Sequence, residues 1–236
     1  MALPIDVHDI PTLVAMTDIG GNVARVRARI AGACERIGRD PAGVMLVAVS
    51  KTHSVEAVAA AYTAGVRDFG ENRVQEAVQK VPGARNLGVD ATWHLIGNLQ
   101  RNKAATAVEL FDVIHSVDSE RLALAISERA EQRVRVFIEV NVAGEESKHG
   151  VAPEEAAPLA ERVGAMPRLD LVGLMTVAPI VATAEEARPV FRRLRELRDA
   201  IGLPELSMGM TGDFEVAIEE GATVVRVGRA IFGERG

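Results

Sequence analysis

Short runs of almost wholly apolar residues, rich in valine, recur along this chain, and each is followed by a stretch whose apolar positions fall three and four residues apart. The first such run, Val44-Met45-Leu46-Val47-Ala48-Val49-Ser50-Lys51, predicts a strand buried on both faces, as in the interior of a parallel sheet, and it ends on a lysine. Ser54 then caps a helix with Val55, Val58, Ala59 and Tyr62 inward and Gly65 closing it. Ahead of this unit, Asn22 is the expected cap of a helix carrying Val23, Val26, Ile30, Ala33 and Ile37 on one face, with Gly38 as its stop. The same reading places strands over 67–72, 92–97, 112–118, 134–142, 171–177, 205–210 and 223–228. Helices are expected from Arg73 to Lys80, around Leu99 to Leu110, on the face Leu122, Ala125, Ile126 and Ala130, and from near Pro153. The next opens with a capping box, Thr183 to Glu186, and the last carries Phe214, Ala217 and Ile218 before Gly221. Pro158 and Pro189 fall inside expected helices, so a boundary or the helix must yield at each.

Eight strands alternating with helices, without a composition break or long linker, make residues 1–236 one α/β domain, with 1–20 as an irregular leading segment. The 236 residues suit a single (β/α)8 TIM barrel with an extra N-terminal helix over its bottom or side, a fold that typically takes about 250 residues. An open doubly wound sheet is the alternative. It would bring a glycine-rich turn after the first strand, where this chain has Ser50-Lys51-Thr52-His53.

Composition removes several classes of function. A formal net charge of −6 speaks against a nucleic-acid partner, whose footprint would be basic. Cys34 is the only cysteine, and the five histidines show no zinc-helix spacing, so no metal is expected. Met1 to Gly20 lacks the basic start of a signal peptide, and no apolar run reaches membrane-spanning length. The expectation is a cytoplasmic protein, away from membranes, and a monomer, since no apolar stripe is left over.

In a barrel the carboxyl ends of all strands meet at one mouth, here Lys51, Asn72, His94, Ser116, Asn141, Met175, Ser207 and Arg226. A lysine held against apolar walls loses hydration, its pKa falls, and it becomes a nucleophile toward a carbonyl; a plain surface lysine is the alternative. Ser207-Met208-Gly209-Met210-Thr211-Gly212 and Gly228-Arg229 end the last two strands, where this barrel usually cradles phosphate. Tight turns alone would also account for these glycines. Arg226 interrupts a valine run, so its permanent charge needs a ligand or a carboxylate such as Glu139. A lysine for an aldehyde, an arginine for a ring nitrogen and a cradle for a phosphate together describe pyridoxal phosphate.

Seven segments carry a resemblance that runs in order over nearly the whole chain. They are Val47–Thr52, Phe69–Glu76, Trp93–Gln100, Ile114–Asp118, Gly173–Thr176, Leu206–Met210 and Val225–Gly228. Together they resemble the pyridoxal phosphate homeostasis protein family. The resemblance implies a fold-type III barrel, like the N-terminal domain of alanine racemase, with pyridoxal 5'-phosphate as cofactor. It implies Lys51 as the residue that holds the cofactor as an internal aldimine, Arg226 facing the pyridine nitrogen and Asn72 near the ring. Ser207, Thr211, Gly228 and Arg229 would take the phosphate. The family often has an aromatic residue where this chain has Arg73, which puts contacts at the mouth in question.

An arginine at the ring nitrogen leaves the pyridine unprotonated and a poor electron sink, so carbanion chemistry would need well-placed bases. A racemase of this fold takes a second base, a tyrosine, from another domain; this chain has Tyr62 alone and no second domain. The expectation is therefore a carrier that binds, buffers and hands over the cofactor to recipient enzymes, without catalytic residues. The alternatives are a single-domain amino-acid racemase, with His94, His115, His149 or Asp213 as base, and a cofactor-free Schiff-base aldolase acting on a sugar phosphate. The run Arg192 to Arg198 is expected to be a solvated surface rather than a docking face, given Glu185, Glu186 and Asp199 beside it.

Overall fold

The computed structural model describes residues 17–145 and 148–233. Eight parallel strands close into a barrel in chain order: β1 (Met45–Val49), β2 (Asp68–Glu71), β3 (Thr92–Leu95), β4 (Val113–Val117), β5 (Val134–Glu139), β6 (Leu169–Met175), β7 (Glu205–Ser207) and β8 (Val224–Val227). β8 pairs back onto β1, with Arg226 opposite Val47, so the open-sheet alternative is excluded. Helix α1 (Ile19–Arg36) precedes the barrel, and one helix follows each strand: α2 (Val55–Thr63), α3 (Val74–Asn86), α4 (Ala104–Leu110), α5 (Glu120–Arg129), α6 (Pro153–Gly164), α7 (Arg188–Ile201), α8 (Phe214–Glu219) and α9 (Arg229–Phe232).

The strands are mostly apolar because both faces are covered. Ala48, Phe69, Trp93, Ile114, Ile138, Leu174 and Val225 point outward into the layer under the helices. Their neighbours Val47, Val113, Phe137, Val172 and Val224 fill the barrel together with Met175. Closure also needs close backbone approach: a Cβ on Gly173 would lie 2.2 Å from the Glu205 carbonyl oxygen across the β6–β7 pair.

Several expected boundaries move. α1 starts ahead of Asn22, and its cap is Asp18, whose Oδ1 accepts from the Gly21 amide at 2.8 Å. Asn22 lies within the first turn instead, its Nδ2 donating to the Ile231 carbonyl at 2.8 Å, which ties α1 to α9. The apolar face holds at Val23, Val26, Ile30 and Ala33, which are buried, but Ile37 follows the last helical residue and is exposed; α1 packs on the barrel's side against α2, α8 and α9. Ile19 and Gly20 are helical rather than irregular, and residues 1–16 of that expected leading segment lie outside the described residues.

α3 runs past Lys80 to Asn86 and accommodates Pro82, while Pro158 stays inside α6. Both prolines are exposed, so the carbonyls they leave unmatched, those of Val78 and Glu154, face water. Pro189 needs no such relief. The capping box at Thr183 opens a 3-10 turn, Ala184–Ala187, and α7 begins only at Arg188, so Pro189 falls in its first turn. A 3-10 turn, Arg101–Lys103, likewise precedes α4. No helix among the described residues is long and apolar enough to cross a membrane.

Candidate functional site

The β1–β8 seam brings the two most telling residues to one end of the barrel. Strand β1 stops at Val49, and Lys51 sits just beyond it in a turn rather than at the end of the strand itself. The Ser50 carbonyl accepts from the His53 amide at 3.0 Å to close that turn. Thr52 has φ +66°, the only non-glycine residue with positive φ among those described. The turn is anchored on every side. Ser50 Oγ donates to Glu71 Oε1 at 2.6 Å, Lys80 Nζ donates to the Ser50 carbonyl at 2.7 Å, and the Thr52 amide donates to Glu76 Oε1 at 2.5 Å. The His53 ring stacks on Phe232 of α9, with centroids 5.0 Å apart.

Arg226 lies inside the barrel at 4% exposure. Its Nη1 donates to Ser207 Oγ at 2.5 Å and its Nη2 to the Thr176 carbonyl at 2.8 Å. No carboxylate of the described residues reaches ion-pair distance from it, so the Glu139 pairing left open by the sequence does not form. Burial pulls its pKa down to about 10, with the charges of Glu139 and Asp213 pulling the other way, so it stays a cation at neutral pH.

From Ser207 a chain of hydrogen bonds crosses the barrel: to His115 Nδ1 at 2.8 Å, from His115 Nε2 to His94 Nδ1 at 2.9 Å, and from His94 Nε2 to Asp68 Oδ1 at 3.1 Å. With both rings neutral, the carboxylate end sets the direction of every proton, and the arginine end agrees with it. A guanidinium only donates and a carboxylate only accepts. Ser207 therefore gives its hydroxyl hydrogen to His115 Nδ1, His115 carries its proton on Nε2, and His94 carries its own on Nε2 facing Asp68. Both imidazoles are neutral in this arrangement. Burial above all, with the positive charges of Arg226 and Arg135, holds the His115 pKa well below its ordinary value.

The other expected residues spread around the same mouth. Gly228 packs on β1, where an added Cβ would lie 3.3 Å from the Val49 carbonyl oxygen, and Arg229 opens α9 beside it. Thr211 is partly exposed in the turn before α8. That turn needs Gly209, whose φ is +91° and where an added Cβ would lie 2.6 Å from the Ala217 Cβ. Ser207 stands apart from this group: its hydroxyl is fully buried and engaged by Arg226 and His115. Asn72 follows β2, and its buried Oδ1 has no hydrogen-bond partner among the described residues. Beside it a cleft of about 440 Å³ is lined by Asn72, Arg73, Gln75, Asn98, Gln100 and Lys103.

Of the other mouth residues, Met175 packs inside the barrel and Ser116 donates to the Gly97 carbonyl at 2.7 Å. His94 and His115 lie in the barrel interior bonded to each other, not free at the rim. The sequence reading missed Glu71, Glu76 and Lys80. One signal was available: Lys80 stands in the apolar stripe of α3, three residues after Ala77 and four before Ala84, and four after Glu76. The arginine run of α7 is engaged in ion pairs, Arg192 and Arg195 with Glu220 just after α8, Arg193 with Glu196 and Arg198 with Asp199.

Residues 22–236 match the family model for the alanine racemase N-terminal domain. A pyridoxal phosphate homeostasis protein of Aquifex aeolicus is 46% identical, over 90% of this chain and 96% of its own length. One from Pseudomonas aeruginosa is 46% identical over 93% and 97%. Among solved structures, PipY of Synechococcus elongatus with PLP bound superposes with a TM-score of 0.80 at 37% identity, covering 91% of this chain and all of PipY. A closed barrel of parallel strands, the matched domain and relatives aligned over nearly their full length agree: this chain belongs to the pyridoxal phosphate homeostasis protein family, built on the alanine racemase N-terminal domain.

Proposed function

We propose that this chain binds pyridoxal 5'-phosphate reversibly at the β1–β8 mouth, with Lys51 as its covalent anchor, and holds it for delivery to other proteins. When bound, the cofactor supplies an aldehyde that condenses with a lysine amine, losing one water, and hydrolysis reverses the step. The observation that carries the reading is Arg226, a buried cation without a carboxylate partner among the described residues, on the strand hydrogen-bonded to the one that leads into Lys51. Such a group suits a ring nitrogen, to which it donates while keeping its own charge. Asn72 Oδ1, buried without a partner among the described residues, fits a ligand at the same mouth. Gly228, Arg229 and Thr211 would hold the phosphate. Ser207 would join them only by turning its hydroxyl hydrogen away from His115.

The placement of the candidate bases supports a carrier over a racemase. Racemisation needs acid–base groups on both faces of the substrate carbon. Tyr62 ends α2 at the opposite end of the barrel, under the Arg67 guanidinium at 4.1 Å from its ring centre. His94 and His115 each have both ring nitrogens engaged.

Borohydride reduction of the loaded protein, followed by peptide mapping, is expected to place the label on Lys51. A K51A variant is expected to take up none. Label on another lysine, or equal covalent uptake by K51A, rejects the reading. Deuterium exchange at the α-carbon across a panel of amino acids is expected to show no sustained turnover.

A further inference from the structure

The binding chemistry leaves one buried charge cluster unused. Lys80 is 7% exposed, and its ammonium donates to Glu71 Oε1 at 2.9 Å and Glu76 Oε1 at 2.6 Å; Glu71 is fully buried. Taking two carboxylates and an ammonium out of water costs several kcal/mol per ion, and their attraction only offsets it when the geometry is good. A staple between α3 and β2 would need the Lys80–Glu71 pair alone. The remaining bonds of the cluster run to the two residues on either side of Lys51: Lys80 and Glu71 hold Ser50 by its carbonyl and hydroxyl, and Glu76 holds the Thr52 amide.

Thr52 shows what these bonds resist. A β-branched residue at φ +66° is strained by about 1–2 kcal/mol and relaxes unless its surroundings prevent it. Relaxation would swing the Thr52 amide off Glu76 and re-aim the Cα–Cβ bond of the preceding residue. The bonds to Glu76 from Lys80 and the Thr52 amide outweigh its partial burial and hold its carboxyl below the usual range, so it is ionised and accepting at neutral pH.

We propose that Lys80, Glu71 and Glu76 are positioning residues for Lys51, clamping the backbone on both sides of it and thereby fixing the direction in which its amine leaves the turn. This rests on Lys51 being the anchoring amine. These bonds hold the chain on both sides of that amine and act on it through the backbone.

Glu76 is the residue to test, since its side chain is 27% exposed and its loss leaves the Lys80–Glu71 pair intact. In cofactor-free protein, E76A is expected to lose about tenfold in hydrogen-exchange protection at the Thr52 amide, one bond of about 1.4 kcal/mol, while E76Q retains it through its acceptor oxygen. Mixing with pyridoxal phosphate and trapping with borohydride over time is expected to label Lys51 about tenfold more slowly in E76A and at the parent rate in E76Q. E76A with lower thermal stability but an unchanged labelling rate overturns the clamp. If the parent protein takes no label on Lys51, the binding reading fails instead. Acylation of the Lys51 amine by an activated ester in cofactor-free protein then decides the clamp: unequal rates in parent and E76A support it, equal rates overturn it.

Discussion

Two polar networks lie buried in this barrel, one beneath Lys51 and one behind Arg226, and they are built on opposite principles. The first is dense in charge, with one ammonium between two carboxylates, and its outgoing bonds grip backbone on either side of the lysine. The second places its two charges at the ends, Arg226 and Asp68, and joins them through a neutral hydroxyl and two neutral imidazoles. An amine that must reach a ligand from a turn needs that turn held. A guanidinium on a strand already has its backbone fixed by the sheet, so only its side chain needs a partner. The networks differ because a loop and a strand leave different degrees of freedom to constrain.

The largest expected effect comes from removing the shared cation of the first network. K80M leaves Glu71 and Glu76 facing each other without it, and is expected to cost about 3–5 kcal/mol in urea unfolding. K80M/E71L, which replaces the buried pair by apolar groups, is expected to recover most of that loss. If K80M unfolds like the parent, the charge-dense description of this network is wrong.

On the arginine side the fold is expected to care less and the ligand more. R226M removes the expense of burying a guanidinium along with its bonds, so unfolding of the cofactor-free protein should change by less than K80M changes it. Affinity for pyridoxal phosphate, followed by absorbance titration, is expected to fall by about 1.5–3 kcal/mol, the worth of hydrogen bonds to a charged group. Equal affinity in R226M would break the assignment of Arg226 to the ring.

The smallest effect is graded by pH. His115 is held neutral in the fold, with a pKa well below the 6.5 of the unfolded chain. The unfolded state therefore binds the extra proton as pH falls below 6.5, so the stability His115 contributes is complete above that value and is lost as pH drops through the window beneath it. The expected slope is at most about 1.4 kcal/mol per pH unit. H115Q is expected to flatten it. A parent protein whose unfolding free energy holds constant from neutrality into that window would mean that the central link of the second network is protonated in the fold.

The periodicity of the chain determined the α/β layering, because the strands are largely apolar on both faces and each helix on one, whereas closure into a barrel rather than an open sheet was decided by the pairing of β8 with β1. The same periodicity singled out Lys51 and Arg226 as well, since a lysine ending a valine run and an arginine interrupting another are anomalies visible without coordinates. Caps and turns were less legible: Asp18 and Asn22 are both good caps, and only the contact with Ile231 shows which one lies inside the helix. Closure of the barrel decided the rest. Asp68, His94, His115, Ser207 and Arg226 come from five strands and are far apart in sequence, so their alignment into one chain of hydrogen bonds depends on strand register. The backbone strain at Thr52 has no signature in residue type either, because it is imposed by bonds from a helix that the sequence places elsewhere.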